Sequence, residues 1–251
     1  MNVAWDNAAV ARPLNEVHVH VWAADLSGPS ALHVVQLLSE DEHARAERFH
    51  FQQDRSRFII ARATLRTILG QYLGIAPTRV QFAYGANGKP TLANLENVDQ
   101  ILHFSVARSQ GVAVYALSYC APLGVDIEYL RPLPEISQIA ERFFSRSEHT
   151  ALSAVPSEQR VRAFYKCWTS KEAFLKATGD GLSFALERFD VELRPERPSR
   201  LHSIDGDTDL AAPWTIRDFA PSPGYIGALA IKRHDVAITF MTWRPNPDSR
   251  S

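Results

Sequence analysis

Cysteine is scarce in this chain: there are two among 251 residues, Cys120 and Cys167. Neither has a second cysteine at metal-ligand spacing, which speaks against a zinc ribbon or a disulfide-stapled secreted fold and leaves two free thiols in a reducing compartment. Long apolar runs are missing as well. None approaches the ~20 residues that a membrane helix needs, and residues 1–13 lack the basic-then-apolar order of a secretory signal. Charge of one sign is not in excess. A formal net charge of −1 creates no global field toward nucleic acid or an anionic membrane. Walker A, G-x-G-x-x-G and H-E-x-x-H patterns and internal repeats are all absent. These absences lead to the expectation of a soluble, cytoplasmic protein with neither nucleic acid nor membrane as partner.

What is present suits a packed core: 45% hydrophobic and 22% charged residues. The length fits one large domain or two of about 100–150 residues. Residues 17–22 alternate apolar and polar, as a half-buried strand does, with His18 and His20 on the polar face. That pair could ligate metal, but no third ligand is nearby, and a solvated face is the preferred reading. Ser39 with Glu42 three residues on has capping-box spacing and opens a helix to about residue 49. Residues 54–72 place Phe58, Ala61, Leu65 and Leu69 at helical spacing, with Arg55, Arg62 and Arg66 making one face basic. That face is either solvated or, through one or two arginines, a phosphate contact.

Asn87-Gly88-Lys89-Pro90 reads as a turn. Residues 101–106 and 111–117 are strand-like, with 108–111 as their connection, and 125–128 form a short strand. The clearest helix is 159–176, with Val161, Phe164, Tyr165, Trp168 and Leu175 as its apolar stripe and Gly179-Asp180-Gly181 as its stop. Strand-like runs follow at 189–193, 214–219, 225–231 and 236–243, before a polar tail from Pro245. Each half, 1–120 and 121–251, therefore combines strands with one long helix.

Period-two geometry puts the Asp126 and Glu128 carboxylates on one strand face and Val125 and Ile127 on the other. Gly124 lets the backbone turn tightly just before them. On the long helix Trp168, Glu172 and Lys176 stack one turn apart, with Lys171 offset by about 100°. Three hard oxygen ligands suit magnesium, and flanking lysines suit phosphate. An acidic strand edge and a Glu172–Lys176 helix pair describe the same residues without any metal.

Leu123-Gly124-Val125-Asp126-Ile127, followed further on by Trp168-Thr169-Ser170-Lys171-Glu172-Ala173-Phe174-Leu175-Lys176, resembles the bipartite signature of the 4'-phosphopantetheinyl transferases. With Glu128 and this chain length, it is similar to the monomeric, two-half Sfp-type branch. Supporting similarity lies in Leu38 to Glu42 with Arg45, Arg48 and Phe49; in Arg55 to Arg66; in Gly88-Lys89-Pro90; and in Arg142-Phe143-Phe144 with Glu148. It runs from about residue 19 to 181 and more weakly to 243.

The resemblance implies an α+β fold of two pseudo-symmetric halves, each a small antiparallel sheet packed with a long helix, and coenzyme A bound between them. The first half would contact the nucleotide end, and the second would carry the metal site and carrier docking. It implies Mg2+ held by Asp126, Glu128 and Glu172. Lys171 and Lys176 would meet phosphate oxygens; Arg62, Lys89 and Pro90 would line the nucleotide end. Glu172 would serve as base, directly or through water, and Lys176 would steady the leaving phosphate. The implied partner is an apo acyl or peptidyl carrier protein of fatty-acid, polyketide or nonribosomal peptide synthesis, docking near residues 133–154 with Arg142 and Arg146. One segment departs: the family's usual Ser-His pair is replaced by Ala107-Arg108. Arginine binds phosphate bidentately, without pH dependence near neutrality. The competing readings are a degenerate module that binds coenzyme A or a carrier without catalysis, and a different magnesium-dependent phosphotransfer enzyme.

Overall fold

The computed structural model describes residues 3–8, 11–27, 31–85, 88–93, 100–179 and 184–244. The tail from Pro245, Asn87 of the turn, and Asp180 and Gly181 of the helix stop lie outside them. Along the chain run β1 (Asp6–Ala8), β2 (His18–Asp25), α1 (Glu40–Glu47), α2 (Gln52–Leu73), β3 (Phe82–Tyr84), β4 (Pro90–Leu92), β5 (His103–Ser109), β6 (Val112–Ser118) and β7 (Leu123–Tyr129). Then follow α3 (Ile136–Phe143), α4 (Arg146–Ala154), α5 (Ser157–Thr178), β8 (Phe189–Val191), β9 (Leu201–Ile204), α6 (Thr208–Ala211), β10 (Thr215–Phe219), β11 (Tyr225–Ile231) and β12 (Ala237–Trp243). The expected α+β architecture is present. No described helix is long and apolar enough to cross a membrane.

Two sheets carry the fold. One has the order β1-β12-β2-β6-β5 and the other β10-β11-β7. β12 comes from beyond residue 121, yet it pairs in parallel with β2 inside the first sheet, Phe240 opposite Val21. α2 covers one face of the first sheet: Leu65, Ile68 and Leu69 pack with Trp22, Tyr115 and Leu117. The other face packs on the second sheet through Val19, Val21, Val114, Val125, Ile127 and Leu229. α5 covers the far side of the second sheet, where Phe164, Phe174 and Leu175 pack with Ala228 and Ala230.

Being covered on both faces overturns the half-solvated reading of β2. His20 is 3% exposed. Its Nδ1 lies 2.6 Å from the Tyr72 hydroxyl, which also accepts the Trp22 indole N–H at 3.0 Å. Burial, then the neighbouring His18 and Arg12, lower its pKa to about 4. His20 is thus a neutral core group, and the His18/His20 pair is no metal site. A second correction concerns the hairpin after β5. Arg108 and Ser109 stay in the strand, opposite Ala113 and Val112, and the turn is made at Gln110, whose φ is 50°.

Local signals explain the helix ends. The Ser39/Glu42 capping box forms as expected and opens α1. The same box forms at Ser145 and Glu148 and opens α4, a helix the sequence reading did not anticipate. α2 and α5 both end on left-handed glycines, Gly74 and Gly179.

Candidate active site

β5 and β7 are edge strands of different sheets, and they face each other without a backbone ladder. Serine side chains replace it. Ser105 Oγ accepts the Val125 N–H at 3.1 Å and Ser109 Oγ accepts the Tyr129 N–H at 3.0 Å. This seam joins the two sheets, and a cleft of about 260 Å³ opens beside it. Gly88, Lys89, Phe104, Glu172, Lys176 and Gly179 are among its walls.

α5 lies directly on β7 because position 124 has no side chain. A Cβ on Gly124 would stand 2.0 Å from the Ala173 carbonyl oxygen and 2.5 Å from the Ala177 nitrogen. Gly124 lies within the strand and has no positive φ. Its role is close approach of the helix, not the tight turn expected of it. Contact at that point brings Lys176 onto Asp126: Nζ donates to Asp126 Oδ1 at 2.7 Å and to the Val125 carbonyl at 3.1 Å.

The three acids do converge electrostatically. Burial raises the pKa of Asp126 against the pull of Lys176. Burial raises Glu172 too, and the Asp126 and Glu128 charges add to it. Glu128 is raised by burial and by Asp126, while a hydrogen bond from Ser109 Oγ at 2.8 Å pulls it back. Asp126 is 8% exposed, and its Oδ2 is buried with no hydrogen-bond partner. Leaving such an oxygen bare costs about 1–3 kcal/mol or more. Among the described residues, no three His, Cys, Asp or Glu side chains form a ready-made metal-ligand cluster. The Lys176 ammonium stands as counter-ion to Asp126. The orphaned oxygen and the all-carboxylate donor set still fit a hard divalent cation.

Lys171, expected at phosphate, is elsewhere. It is fully buried, paired with Glu148 at 2.8 Å. Its Nζ also donates to the Leu186 and Phe189 carbonyls at 2.8 and 2.5 Å and lies 4.2 Å from the Phe189 ring centre. Every proton of that ammonium is engaged, so Lys171 holds α5 in place and does not reach the cleft. Lys89 does line the cleft. Its Nζ reaches across the seam to the Leu123 and Lys176 carbonyls, and burial, then Lys176, lower its pKa. Pro90 stands next to it at the start of β4.

The remaining cations gather on the first half. Arg62 pairs with Glu42 at 3.1 Å and donates to the Tyr84 hydroxyl at 3.0 Å. Arg108 is exposed, its guanidinium 5.7 Å from the Phe58 ring centre, with Arg45 at 5.5 Å from the same ring. Partial burial and the Arg45 and Arg62 charges lower the Arg108 pKa. Arg66 belongs to the core instead, bound to Glu42 at 2.6 Å. Sequence reasoning did not place Arg45 in this group or see the serine seam, although Arg45 stood among the residues that carry the family resemblance.

Comparison with known proteins decides the family. Residues 122–238 match the model of the 4'-phosphopantetheinyl transferase superfamily, and residues 22–119 match that of the 4'-phosphopantetheinyl transferase N-terminal region. The 4'-phosphopantetheinyl transferase HetI of Nostoc sp. is 38% identical over 215 residues, covering 85% of this chain and 87% of that one. This chain belongs to the 4'-phosphopantetheinyl transferase superfamily. Within that superfamily, 4'-phosphopantetheinyl transferase Sfp of Bacillus subtilis is 26% identical over 201 residues, 80% of this chain and 85% of its own. These relatives support placement in the Sfp-type branch. The crystal structure of Thermotoga maritima AcpS superimposes on 44% of this chain and 61% of its own, at 18% identity and a TM-score of 0.32.

Proposed function

We propose that this phosphopantetheinyl transferase moves the 4'-phosphopantetheine group of coenzyme A onto a serine of an apo acyl or peptidyl carrier protein, with Mg2+, as a cytoplasmic monomer. The observation that carries the metal half of this reading is the buried, unpartnered Asp126 Oδ2 among three mutually repelling carboxylates. Ionised, the three acids against the Lys176 ammonium leave a net charge of −2, which one divalent cation cancels. Asp126, Glu128 and Glu172 would hold it. When bound it supplies Lewis-acid polarisation of the pyrophosphate and screens the charge that builds during transfer.

The chain's own groups do the rest. The carrier serine oxygen attacks the β-phosphorus of coenzyme A, and the bond to the nucleotide phosphate breaks, releasing adenosine 3',5'-bisphosphate. Glu172 takes the serine proton, directly or through water; its raised pKa makes it a better base than an exposed carboxylate. Lys176, leaving Asp126, donates to the departing phosphate oxygen. Lys89 and Pro90 line the nucleotide side of the cleft. Arg62 and Arg108, on the first half, meet its phosphate. The second half, with α3 and α4 carrying Arg142 and Arg146, receives the carrier. Lys171 takes no part at the phosphates.

Arg108→Ala is expected to raise KM for coenzyme A about tenfold with little change in kcat. Steady-state kinetics with coenzyme A and dephospho-coenzyme A test it; an equal response to both would remove Arg108 from the 3'-phosphate. A second reading is a binding module that has lost catalysis, favoured by the Ala107-Arg108 replacement. Incubation with coenzyme A, Mg2+ and a panel of apo carriers, read by intact mass, separates the two. One added phosphopantetheine that chelator abolishes supports transfer; coenzyme A binding with no mass gain on any carrier supports the module.

A further inference from the structure

Ser109, the last residue of β5, makes two bonds across the seam with one hydroxyl. It accepts the Tyr129 N–H at 3.0 Å and donates to Glu128 Oε2 at 2.8 Å. The directions are unambiguous: an N–H can only donate and an ionised carboxylate can only accept. Ser105, four residues earlier on the same seam, does only the first of these, accepting the Val125 N–H at 3.1 Å. Ser109 alone of the two therefore links the first half of the molecule to an acid of the second.

From this contrast we infer that Ser109 is a positioning residue that aims Glu128 at the divalent cation. The inference rests on the cation reading above. Its physical content lies in the kind of donor. Asp126 is steadied by an ammonium, which cancels its charge as it stabilises it. Glu128 is steadied by a neutral hydroxyl, which offsets burial and leaves the full negative charge available. The same hydroxyl is fixed in direction by the Tyr129 N–H, so the Glu128 carboxylate is held only while β5 and β7 stay in register. Cation binding is thereby coupled to the docking of one sheet against the other. Groups that orient a ligating side chain from behind are typically worth about 10–100-fold in metal affinity.

The test is Mn2+ binding to the full-length protein with coenzyme A present, followed by the electron paramagnetic resonance signal of free Mn2+. Ser109→Ala is expected to weaken Mn2+ about tenfold, and Ser109→Cys, which fills the space with a poor donor, to match it. Ser109→Thr keeps the hydroxyl and should stay within about twofold of the parent. Ser105→Ala removes a seam bond of the same kind without touching a carboxylate. It should lower the melting temperature as Ser109→Ala does and leave Mn2+ affinity within about twofold. If Ser109→Ala does not fold, the Cys and Thr pair decides. Unchanged affinity in Ser109→Ala and Ser109→Cys overturns the inference, as does equal weakening in Ser105→Ala. A parent protein that binds no Mn2+ with coenzyme A overturns the cation reading itself, and this inference with it.

Discussion

The two long helices, α2 and α5, are built on one plan and decorated differently. Each runs 22 residues and ends on a left-handed glycine. Counting from Gln52 and from Ser157, the fifteenth residue is a buried cation in both: Arg66 and Lys171. Each cation pairs with the glutamate of a capping box, Arg66 with Glu42 at 2.6 Å and Lys171 with Glu148 at 2.8 Å. Each also donates to two backbone carbonyls, Pro77 and Val80 in one half, Leu186 and Phe189 in the other. Each lies near a phenylalanine ring, Phe82 or Phe189. The pseudo-symmetry of the halves is thus visible partner for partner in these brackets. They differ on the neighbouring helix face. Where α5 has Glu172 and Lys176, α2 has Thr67 and Gln71. On the reading proposed above, holding the helix and doing chemistry fall to adjacent residues, and only the second half carries the chemistry.

The sharpest way to break this comparison is to cut both helices at matching positions. On α5, Glu172→Ala should lower transfer about a thousandfold with the fold intact, and Asp126→Ala on the neighbouring β7 should do the same. Thr67→Ala and Gln71→Ala should stay within about threefold. Intact-mass rates on one carrier, with circular dichroism as the fold check, measure this. A large loss from Thr67→Ala would mean that α2 contributes chemistry after all.

Next in size are the brackets themselves. Glu42→Ala and Glu148→Ala each strand a buried cation, at a cost of about 3–5 kcal/mol. Glu42 should cost more, because Arg62 shares it at 3.1 Å. Urea unfolding gives both numbers. A silent Glu42→Ala beside a costly Glu148→Ala would show that the two brackets, alike in geometry, differ in load.

Much of this was legible in residue spacing, and the parts that were not have physical reasons. The α5 stripe and the Asp126/Glu128 alternation follow from local periodicity, and both fold as read. The bracket at Glu148 had the same Ser-x-x-Glu spacing as the one at Glu42 and was readable in principle. So was the burial of Lys171: Phe164, Cys167, Lys171 and Phe174 are all buried and recur at helical spacing, and a lysine inside an apolar stripe signals an ion pair, not a phosphate contact. His20 could not be placed from β2 alone. Its burial depends on α2 covering that face of the sheet, where Tyr72 meets it, a contact with no trace in β2 itself. The serine seam is likewise set by two strands from different sheets meeting.

The smallest expected effect tests what the chemistry costs the fold. The Glu172 pKa is raised above its ordinary 4.5, by burial first, with Asp126 and Glu128 adding to it and Lys176 opposing. The folded state therefore holds that proton more tightly than the unfolded chain. Its contribution favours folding below about pH 4.5 and is lost as pH rises through the folded pKa, beyond which the ionised group opposes folding. Glu172→Gln removes the opposition. Its melting temperature should exceed the parent's at pH 8. At pH 4 the two should nearly coincide. Thr67→Val on α2, which changes no charge, should shift the melting temperature equally at both pH values. A Glu172→Gln protein no more stable than the parent at pH 8 would mean that Lys176 already balances the acids without a metal, and the case for a divalent cation from charge alone would fall.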